Sequence, residues 1–272
     1  MKRSDRLISL TNYFINHPQK LTQLSYFTEK YQASKSSISE DLDIINNMFT
    51  YEGIGSIDRF AGAAGGAKYI PKFTNENSYS FIKNLCDELQ DPSRILPGGY
   101  LYMSDLLGNP RIVKEIGKIF VSSFSDRTID AVVTVETKGI PLAYAVADFL
   151  NVPVVIIRRN MRVTEGSSVS INYVSGRSHR IQTMALAKRN LQEGLNVCII
   201  DDFMKAGGTV NGMISLLEEF KATVVGIGVF AETDDKETER LIDQYTSLVK
   251  VSNMDIKNKQ IQVKYGSFYE NN

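Results

Sequence analysis

The chain has 272 residues, 43% of them hydrophobic and 23% charged, a composition typical of a globular protein that excludes a disordered or fibrous one. Lys and Arg number 31, as do Asp and Glu, so the formal net charge is zero, which argues against non-specific coating of nucleic acid but leaves room for a local basic patch. No run approaches the roughly 20 apolar residues that span a bilayer, and the widely separated Cys86 and Cys198 fit a reducing compartment, so we expect a cytoplasmic protein with no membrane partner.

The first 50 residues predict three short helices. Apolar residues recur at helical spacing over residues 7–15, 21–31 and 38–49. Ser37 is followed three residues later by Glu40, which is a capping-box pattern, so the third helix is expected to begin near Ser36 or Ser37.

Two short extended segments follow these helices. Residues 54–60 and 67–73 have the pattern of strands, and the Gly-rich stretch 61–66 between them is typical of a hairpin tip. The order helix, helix, helix, hairpin predicts a winged-helix DNA-binding domain over residues 1–73. That region carries nine basic and seven acidic residues. Residues 74–272 are then expected to form a second domain.

Helical and extended patterns alternate through this second domain. Strands separated by helices predict a parallel sheet with helices on both faces, so the fold class is α/β. The predicted helices are 79–89, 110–124 and 142–150, and the predicted strands are 131–135, 152–157, 197–200 and 224–229.

The strongest motif is Val-Cys-Ile-Ile-Asp-Asp-Phe-Met-Lys-Ala-Gly-Gly-Thr at residues 197–209. Two carboxylates follow a buried strand, and a loop with two glycines leads into a helix. Such a loop can surround a phosphate with backbone N–H groups at the positive end of the helix, where Thr209 adds a hydroxyl donor. Asp201 and Asp202 suit the two vicinal hydroxyls of a ribose, so the ligand implied is a ribose 5-phosphate unit.

This segment resembles the phosphoribosyl pyrophosphate (PRPP) motif of type I phosphoribosyltransferases. The resemblance implies that Asp201 and Asp202 bind the ribose hydroxyls. Ala206 stands where that family usually has a Thr, so one hydroxyl donor is lost. The resemblance places Lys205, Ala206, Gly207, Gly208 and Thr209 around the 5′-phosphate, and Phe203 and Met204, which precede them, are further candidates for binding PRPP.

Further residues are candidates for the same site. In the resembling family the turn that here contains Thr137, Lys138 and Gly139 contacts the pyrophosphate. Arg158 and Arg159 end the next predicted strand, where they either reach the pyrophosphate or are simply solvated. The polar stretch 160–180 is long enough for a loop that folds over the ligand, although residues 167–173 also have the pattern of a hairpin arm. Tyr102 is either a stacking partner for a base or an ordinary packing residue.

The N-terminal module offers candidate DNA contacts. In a winged helix the third helix enters the major groove, so its first residues approach bases and phosphates. A helical dimerisation module with incidental charges is the alternative interpretation. The candidates are Lys35, Ser36, Ser37 and Ser39 at the helix entry, Arg59 and Lys68 beside the wing, and Arg3 and Arg6 near the first helix.

Together these features resemble the purine operon repressor family of Gram-positive bacteria. The segments that carry the resemblance are Lys-Ser-Ser-Ile-Ser-Glu-Asp at 35–41, Gly-Ala-Ala-Gly-Gly at 62–66, Ile-Leu-Pro-Gly-Gly-Tyr at 95–100 and the motif at 201–209. The resemblance implies a homodimer that binds double-stranded operator DNA and represses genes of purine synthesis and transport. It also implies that PRPP is the inducer, bound in a non-catalytic pocket for which phosphorylated purine nucleotides would compete.

Two other functions stay open on the sequence alone. One is a catalytically active purine phosphoribosyltransferase with an accessory N-terminal domain, and the other is an RNA-binding regulator of the same fold. No cofactor is expected to be required. Whether Mg²⁺ accompanies PRPP is left open, because Mg²⁺ commonly neutralises pyrophosphate.

Overall fold

The computed structural model describes residues 1–62, 65–72, 75–160, 166–174, 181–234, 240–255 and 257–270. The chain divides into two compact units. The first comprises Met1–Asn77 with Asp148–Asn151, and the second comprises Ser78–Ala147 with Val152–Asn272. No helix in the described part of the chain is both long enough and apolar enough to cross a membrane.

The first unit has the predicted order of three helices and a hairpin. Its elements are α1 (Arg3–Asn16), α2 (Leu24–Tyr31), α3 (Lys35–Tyr51), β1 (Gly55–Phe60) and β2 (Gly66–Pro71). β1 and β2 pair antiparallel. The helices bury one apolar face each against the hairpin, and this core contains Leu10, Phe14, Phe27, Ile38, Leu42, Phe49, Ile57 and Tyr69. Residues 63–64 of the predicted hairpin tip lie outside the described residues.

The helix boundaries differ from the predicted ones at two places. α3 begins at Lys35 and is capped by Ser34, whose Oγ accepts a hydrogen bond from Ser37 N at 3.1 Å, so the start expected near Ser36 or Ser37 is one to two residues late. α2 begins three residues later than predicted. The preceding Thr22 is instead paired with Ala67, and each backbone N–H donates to the other's carbonyl at 2.9 Å.

The second unit is an α/β fold built on one sheet. In the described residues this sheet has six strands in the order β12-β11-β10-β9-β5-β6, of which β12 alone runs antiparallel to its neighbour. The strands of this sheet are β5 (Ala131–Val135), β6 (Val154–Ile157), β9 (Asn196–Met204), β10 (Thr223–Thr233), β11 (Thr246–Asp255) and β12 (Gln260–Tyr265). Every residue of β5 is buried, as its unbroken apolar sequence predicts for a parallel strand covered on both faces.

Helices and two small hairpins complete the second unit. The helices are α4 (Asn75–Leu89), α5 (Ser104–Leu107), α6 (Pro110–Ser123), α7 (Ile140–Leu150), α8 (Gly208–Glu218) and α9 (Ser267–Glu270). The hairpin strands are β3 (Ile95–Leu96) with β4 (Tyr100–Leu101), and β7 (Ser168–Val174) with β8 (Ile181–Ala187). β7 agrees with the expected hairpin arm. The rest of the predicted lid, residues 161–165 and 175–180, lies outside the described residues.

Candidate functional site

The candidate ligand site lies where β5, β6 and β9 end. These strands are parallel neighbours, so their carboxyl ends meet at one edge of the sheet, where open α/β sheets bind ligands. β5 leads into the turn that contains Thr137 and Lys138, where the Glu136–Thr137 peptide bond is cis. β6 leads to Arg159, and β9 carries Asp201 and Asp202 near its end.

Two adjoining cavities open at this edge. The larger has a volume of about 700 Å³ and the smaller about 470 Å³. Of the residues predicted for the site, twelve line one or both cavities. Five line both: Lys138, Arg159, Asp202, Phe203 and Thr209. The other seven are Thr137, Asp201, Met204, Lys205, Ala206, Gly207 and Gly208.

Three predicted residues do not line either cavity. Arg158 pairs with Glu136 instead, with Arg158 Nη1 at 3.2 Å from Glu136 Oε2. Gly139 is buried next to Thr134 and Asp201 and does not reach either cavity. Tyr102 lies just after β4 and outside the lining; its backbone N–H donates to Arg94 O at 2.8 Å, and its carbonyl accepts from Arg94 Nη1 at 3.1 Å.

The two acids differ in burial, Asp201 being buried and Asp202 half-buried. Asp201 is 4% exposed, and its Oδ1 accepts the backbone N–H of Asp202 at 2.9 Å. Burial, followed by the charge of Asp202, raises the pKa of Asp201 well above its usual range. Burial also raises the pKa of Asp202, while Lys138 and Arg159 oppose that shift. Carboxylates held in this way favour a ligand that brings hydrogen-bond donors, such as vicinal hydroxyls.

The loop from Lys205 to Thr209 is shaped to accept a phosphate. Gly207 adopts a left-handed conformation (φ 87°), and a Cβ there would lie 3.0 Å from Ile242. The loop is also held from outside, because Leu241 N donates to Ala206 O at 2.9 Å. α8 begins at Gly208, so the backbone N–H groups of its first turn have no partner within the helix, and Gly208, Thr209 and Val210 of that turn line the larger cavity.

Two parts of the lining were not predicted. The β3–β4 hairpin lines the larger cavity with residues that include Tyr100, and Lys205 Nζ lies 5.7 Å from the centroid of the Tyr100 ring. The sequence Pro97-Gly98-Gly99 signals the turn but not which aromatic residue faces the cavity. Gln182 on β8 also lines it, and no sequence pattern singles it out.

The candidate DNA-binding surface is centred on the start of α3. Lys35 and Ser36 are exposed, whereas Ser37 is half-buried. Ser34 Oγ lies 2.9 Å from the hydroxyls of both Ser36 and Ser37, so these three side chains form one polar cluster at the helix start. The donors expected at the helix entry are therefore close together.

The predicted wing residues contact α3 and the wing itself. Arg59 on β1 donates to Ser39 Oγ at 2.9 Å, to Ser39 O at 2.8 Å and to Asp43 Oδ1 at 2.7 Å. Lys68 on β2 lies over the Phe60 ring, with Nζ 5.6 Å from the centroid. Arg59 thus holds the β1–β2 hairpin against α3, and Ser39 is one of its partners.

Arg3 and Arg6 converge on one buried carboxylate. Asp41 on α3 is fully buried, and its two oxygens accept from Arg3 Nε at 3.0 Å and Arg6 Nε at 2.5 Å. The Arg6 side chain is 12% exposed, whereas that of Arg3 is 52% exposed. Arg6 is therefore committed to holding α1 on α3, and Arg3 has the greater access to a phosphate.

Both units match known protein families. Residues 2–71 match the family described as "Bacterial purine repressor, N-terminal", and residues 103–266 match the "Phosphoribosyl transferase domain" family. The chain is 56% identical over 267 residues to the purine biosynthesis transcriptional repressor PurR of Bacillus subtilis, covering 98% of this chain and 93% of that protein. It is 45% identical to the purine biosynthesis transcriptional activator PurR of Lactococcus lactis, covering 99% of both chains.

A solved structure supports the fold of the second unit. The adenine phosphoribosyltransferase of Thermoanaerobacter pseudethanolicus superposes with a TM-score of 0.52 at 18% identity, over 61% of this chain and 98% of that one. The similarity to this enzyme is thus partial, whereas that to the two regulators extends over nearly the whole chain.

Proposed function

The chain belongs to the family of purine biosynthesis transcriptional regulators, and from that premise we propose that it is a repressor that binds operator DNA and senses PRPP. It is a transcription regulator of purine biosynthesis with a phosphoribosyltransferase-like domain, and not an enzyme. The observation that carries the proposed sensing role is that acids and glycine loop meet across two adjoining cavities: Asp201 lines the smaller, Gly207 and Gly208 line the larger, and Asp202 and Thr209 line both.

The ribose, the 5′-phosphate and the pyrophosphate of PRPP each have a chemically complementary group of residues in the site. The ribose hydroxyls donate to Asp201 and Asp202, which adds hydrogen bonds to carboxylates that the fold partly withdraws from water. The 5′-phosphate accepts from the loop that ends at Thr209 and from the start of α8. The pyrophosphate lies near Lys138 and Arg159, the cations that line both cavities.

The first unit supplies the proposed DNA contacts. α3 enters the major groove with Lys35 and Ser36 at its exposed start, and the hairpin of β1 and β2 lies beside it as the wing. Arg59 orients the wing through Ser39 and Asp43. The protein acts in the cytoplasm as a homodimer on double-stranded operators.

PRPP and DNA oppose one another in this proposal. PRPP binding favours a state of the dimer that holds operator DNA less tightly, and linkage requires that DNA lower the affinity for PRPP by the same factor. Phosphorylated purine nucleotides compete for the cavity, because they carry the same ribose phosphate. No cofactor is required. Repeating the PRPP titration with EDTA shows whether Mg²⁺ enters with the pyrophosphate.

The test is binding of the purified chain to DNA from upstream of purine-synthesis genes, at fixed salt, with and without PRPP. We expect tight binding that PRPP weakens. Binding that PRPP strengthens would indicate an activator, the function for which the Lactococcus relative is named. A parallel assay of PRPP consumption with adenine, guanine, hypoxanthine and xanthine should show no turnover, and RNA should compete poorly with operator DNA.

A further inference from the structure

The β7–β8 hairpin places one amide side chain in the wall of the larger cavity. Gln182 on β8 lies directly across from Tyr173 on β7, and it lines the cavity together with Lys138 and Arg159. The next cross-strand pair is Asn172 with Thr183. Since successive side chains point to opposite faces of a hairpin, this second pair lies on the other face, and both of its residues are exposed.

The position of Tyr173, the cross-strand neighbour of Gln182, is fixed by packing. Its side chain belongs to the core of the second unit and is only 7% exposed. Its ring lies against α8 at Gly212, where a Cβ would approach Tyr173 Cγ to 2.9 Å. Only a residue without a Cβ allows the ring to lie this close, so helix and hairpin together fix the position of the Tyr173 hydroxyl.

The hydroxyl in turn fixes the amide. Tyr173 OH donates to Gln182 Oε1 at 2.6 Å. With its oxygen engaged, the amide of Gln182 has an NH₂ group for which the described residues supply no hydrogen-bond partner, and this group can donate to a ligand. That group is a neutral donor on the same wall as two cations, in a site whose ligand consists largely of oxygen acceptors.

We propose that Gln182 is a ligand-binding residue of this site, in which its amide NH₂ donates to an oxygen of the bound phosphorylated sugar and Tyr173 is the positioning residue. This inference rests on the proposed function and deepens it. Lys138 and Arg159 supply charge that attracts any phosphate, whereas a fixed neutral donor accepts only an oxygen in the right place. Gln182 thereby contributes to the choice of one sugar phosphate over another.

The opposite orientation of the amide makes a different prediction. If the NH₂ group faced Tyr173, the amide oxygen would face the cavity. Residue 182 would then present no donor to the ligand, and replacing the amide with a carboxylate would remove none. Gln182→Glu keeps an acceptor for the Tyr173 hydroxyl but replaces the donor with a negative acceptor. Gln182→Leu removes the donor without adding charge, so it separates loss of the hydrogen bond from repulsion.

The chain offers matched controls on the other face of the same hairpin. Asn172→Asp adds the same charge as Gln182→Glu one cross-strand pair away, and Thr183→Val removes a polar group as Gln182→Leu does. Thr183 Oγ1 donates to Asn172 Oδ1 at 2.9 Å, so these controls also disturb one cross-strand hydrogen bond. They therefore report the general effect of altering the hairpin.

The test is calorimetric titration of the full chain with PRPP, with thermal unfolding of each variant to confirm that it folds. We expect the Kd to rise about tenfold or more for Gln182→Glu and severalfold for Gln182→Leu, and to change less than about twofold for either control. Tyr173→Phe should raise the Kd severalfold in the native background but not in the Gln182→Leu background, since a positioning residue acts only through its partner.

The possible outcomes separate the two proposals. If the unmodified chain binds PRPP and Gln182→Glu binds it as tightly as Asn172→Asp does, the role of Gln182 is overturned while the proposed function stands. If Tyr173→Phe weakens binding equally in both backgrounds, Tyr173 does not act through Gln182. If the unmodified chain does not bind PRPP at all, the sensing role fails and the inference about Gln182 fails with it.

Discussion

Gly139 lies so close to Thr134 that a Cβ at residue 139 would be only 2.4 Å from Thr134 Oγ1. A Cβ at residue 139 would also lie 3.1 Å from Asp201 Oδ1. Gly139→Ala should therefore push the turn after β5 away from the acidic end of β9. We expect the Kd for PRPP to rise about 5- to 150-fold, the equivalent of about 1–3 kcal/mol of steric strain. Calorimetry measures this, and DNA binding without PRPP should persist.

Gly194→Ala is the control for the general effect of replacing a glycine. Gly194 also has a positive φ, of 79°, but a Cβ there would meet nothing within 4 Å. This variant should lose about 1 kcal/mol of stability and bind PRPP normally. Equal losses of PRPP affinity in the two variants would show that the contact between Gly139 and Thr134 is not the cause.

Asp201 should make the folded protein less stable at neutral pH. Burial and the neighbouring Asp202 raise the pKa of Asp201 in the folded state. The folded state then binds the proton more tightly than the unfolded state does, so the contribution of Asp201 to stability falls as the pH rises above about 4. Asp201→Asn should raise the free energy of unfolding at pH 7 and leave it nearly unchanged at pH 4, as measured by urea denaturation.

Asp105 provides a comparison of opposite sign. A hydrogen bond from Arg94 lowers the pKa of Asp105, so its stabilising contribution is present above the usual pKa of an aspartate and is lost as the pH falls. Asp105→Asn should lower the free energy of unfolding at pH 7. If both variants shift stability in the same direction at pH 7, the electrostatic account of Asp201 is wrong.

The ion pairs at Asp41 should stabilise the first unit. Removing this buried carboxylate leaves Arg6 without its partner, and we expect Asp41→Ala to cost about 3 kcal/mol. Amide hydrogen exchange of α1 and α3 in the full chain reports this local stability. Asp43→Ala removes a carboxylate that is 64% exposed and pairs with Arg59, so it should cost less than about 1 kcal/mol. Similar exchange rates in the two variants would contradict the structural role of Asp41.

Lys35 should make a phosphate contact that does not depend on sequence. Lys35→Ala is expected to weaken binding to operator and unrelated DNA alike and to reduce the slope of log K against log salt by about 0.9. Fluorescence anisotropy at several salt concentrations measures the slope. Lys221→Ala in the second unit, where Lys221 pairs with Glu193, should leave it unchanged. An unchanged slope for Lys35→Ala would remove this residue from the DNA-binding surface.

Residue patterns predict the arrangement of elements better than their boundaries. Strong periodicity indicates the three N-terminal helices and the buried strand β5, because core packing and local pattern agree there. The cap of α3 was misplaced because Ser34 and Ser37 are both suitable cap residues. In the structure the cap is Ser34, two residues after Gln32 (φ 50°), whose left-handed conformation ends α2. The local sequence does not determine which of the two serines caps the helix.

The site was predictable where one continuous segment carries the chemistry. Asp201 and Asp202 lie near the end of β9, which extends to Met204 rather than ending at the predicted residue 200, and they precede a glycine loop, so a single motif indicates them. Tyr100 and Gln182 are different, because each reaches the cavity through the pairing of a small hairpin. A slip of one residue in either register would turn other side chains toward the cavity, and one sequence does not fix the register of such short strands.

The sequence also did not predict a buried polar network next to the loop from Lys205 to Thr209. Glu232 is fully buried and accepts from Tyr245 OH and from Ser247 Oγ, each at 2.5 Å, while Arg240 lies 2.6 Å away. Its donors come from different segments of the chain, so no spacing reveals them. The segment that starts at Arg240 continues to Leu241, which holds the loop at Ala206.

The most direct test of the account is to compare operator binding by the unmodified chain and by the double variant Asp201→Ala with Asp202→Ala, at fixed salt, with and without PRPP. We expect both proteins to bind DNA equally well without PRPP, and PRPP to release the unmodified chain but not the variant. Equal release of both proteins would contradict it, because the two acids would then have no part in sensing PRPP.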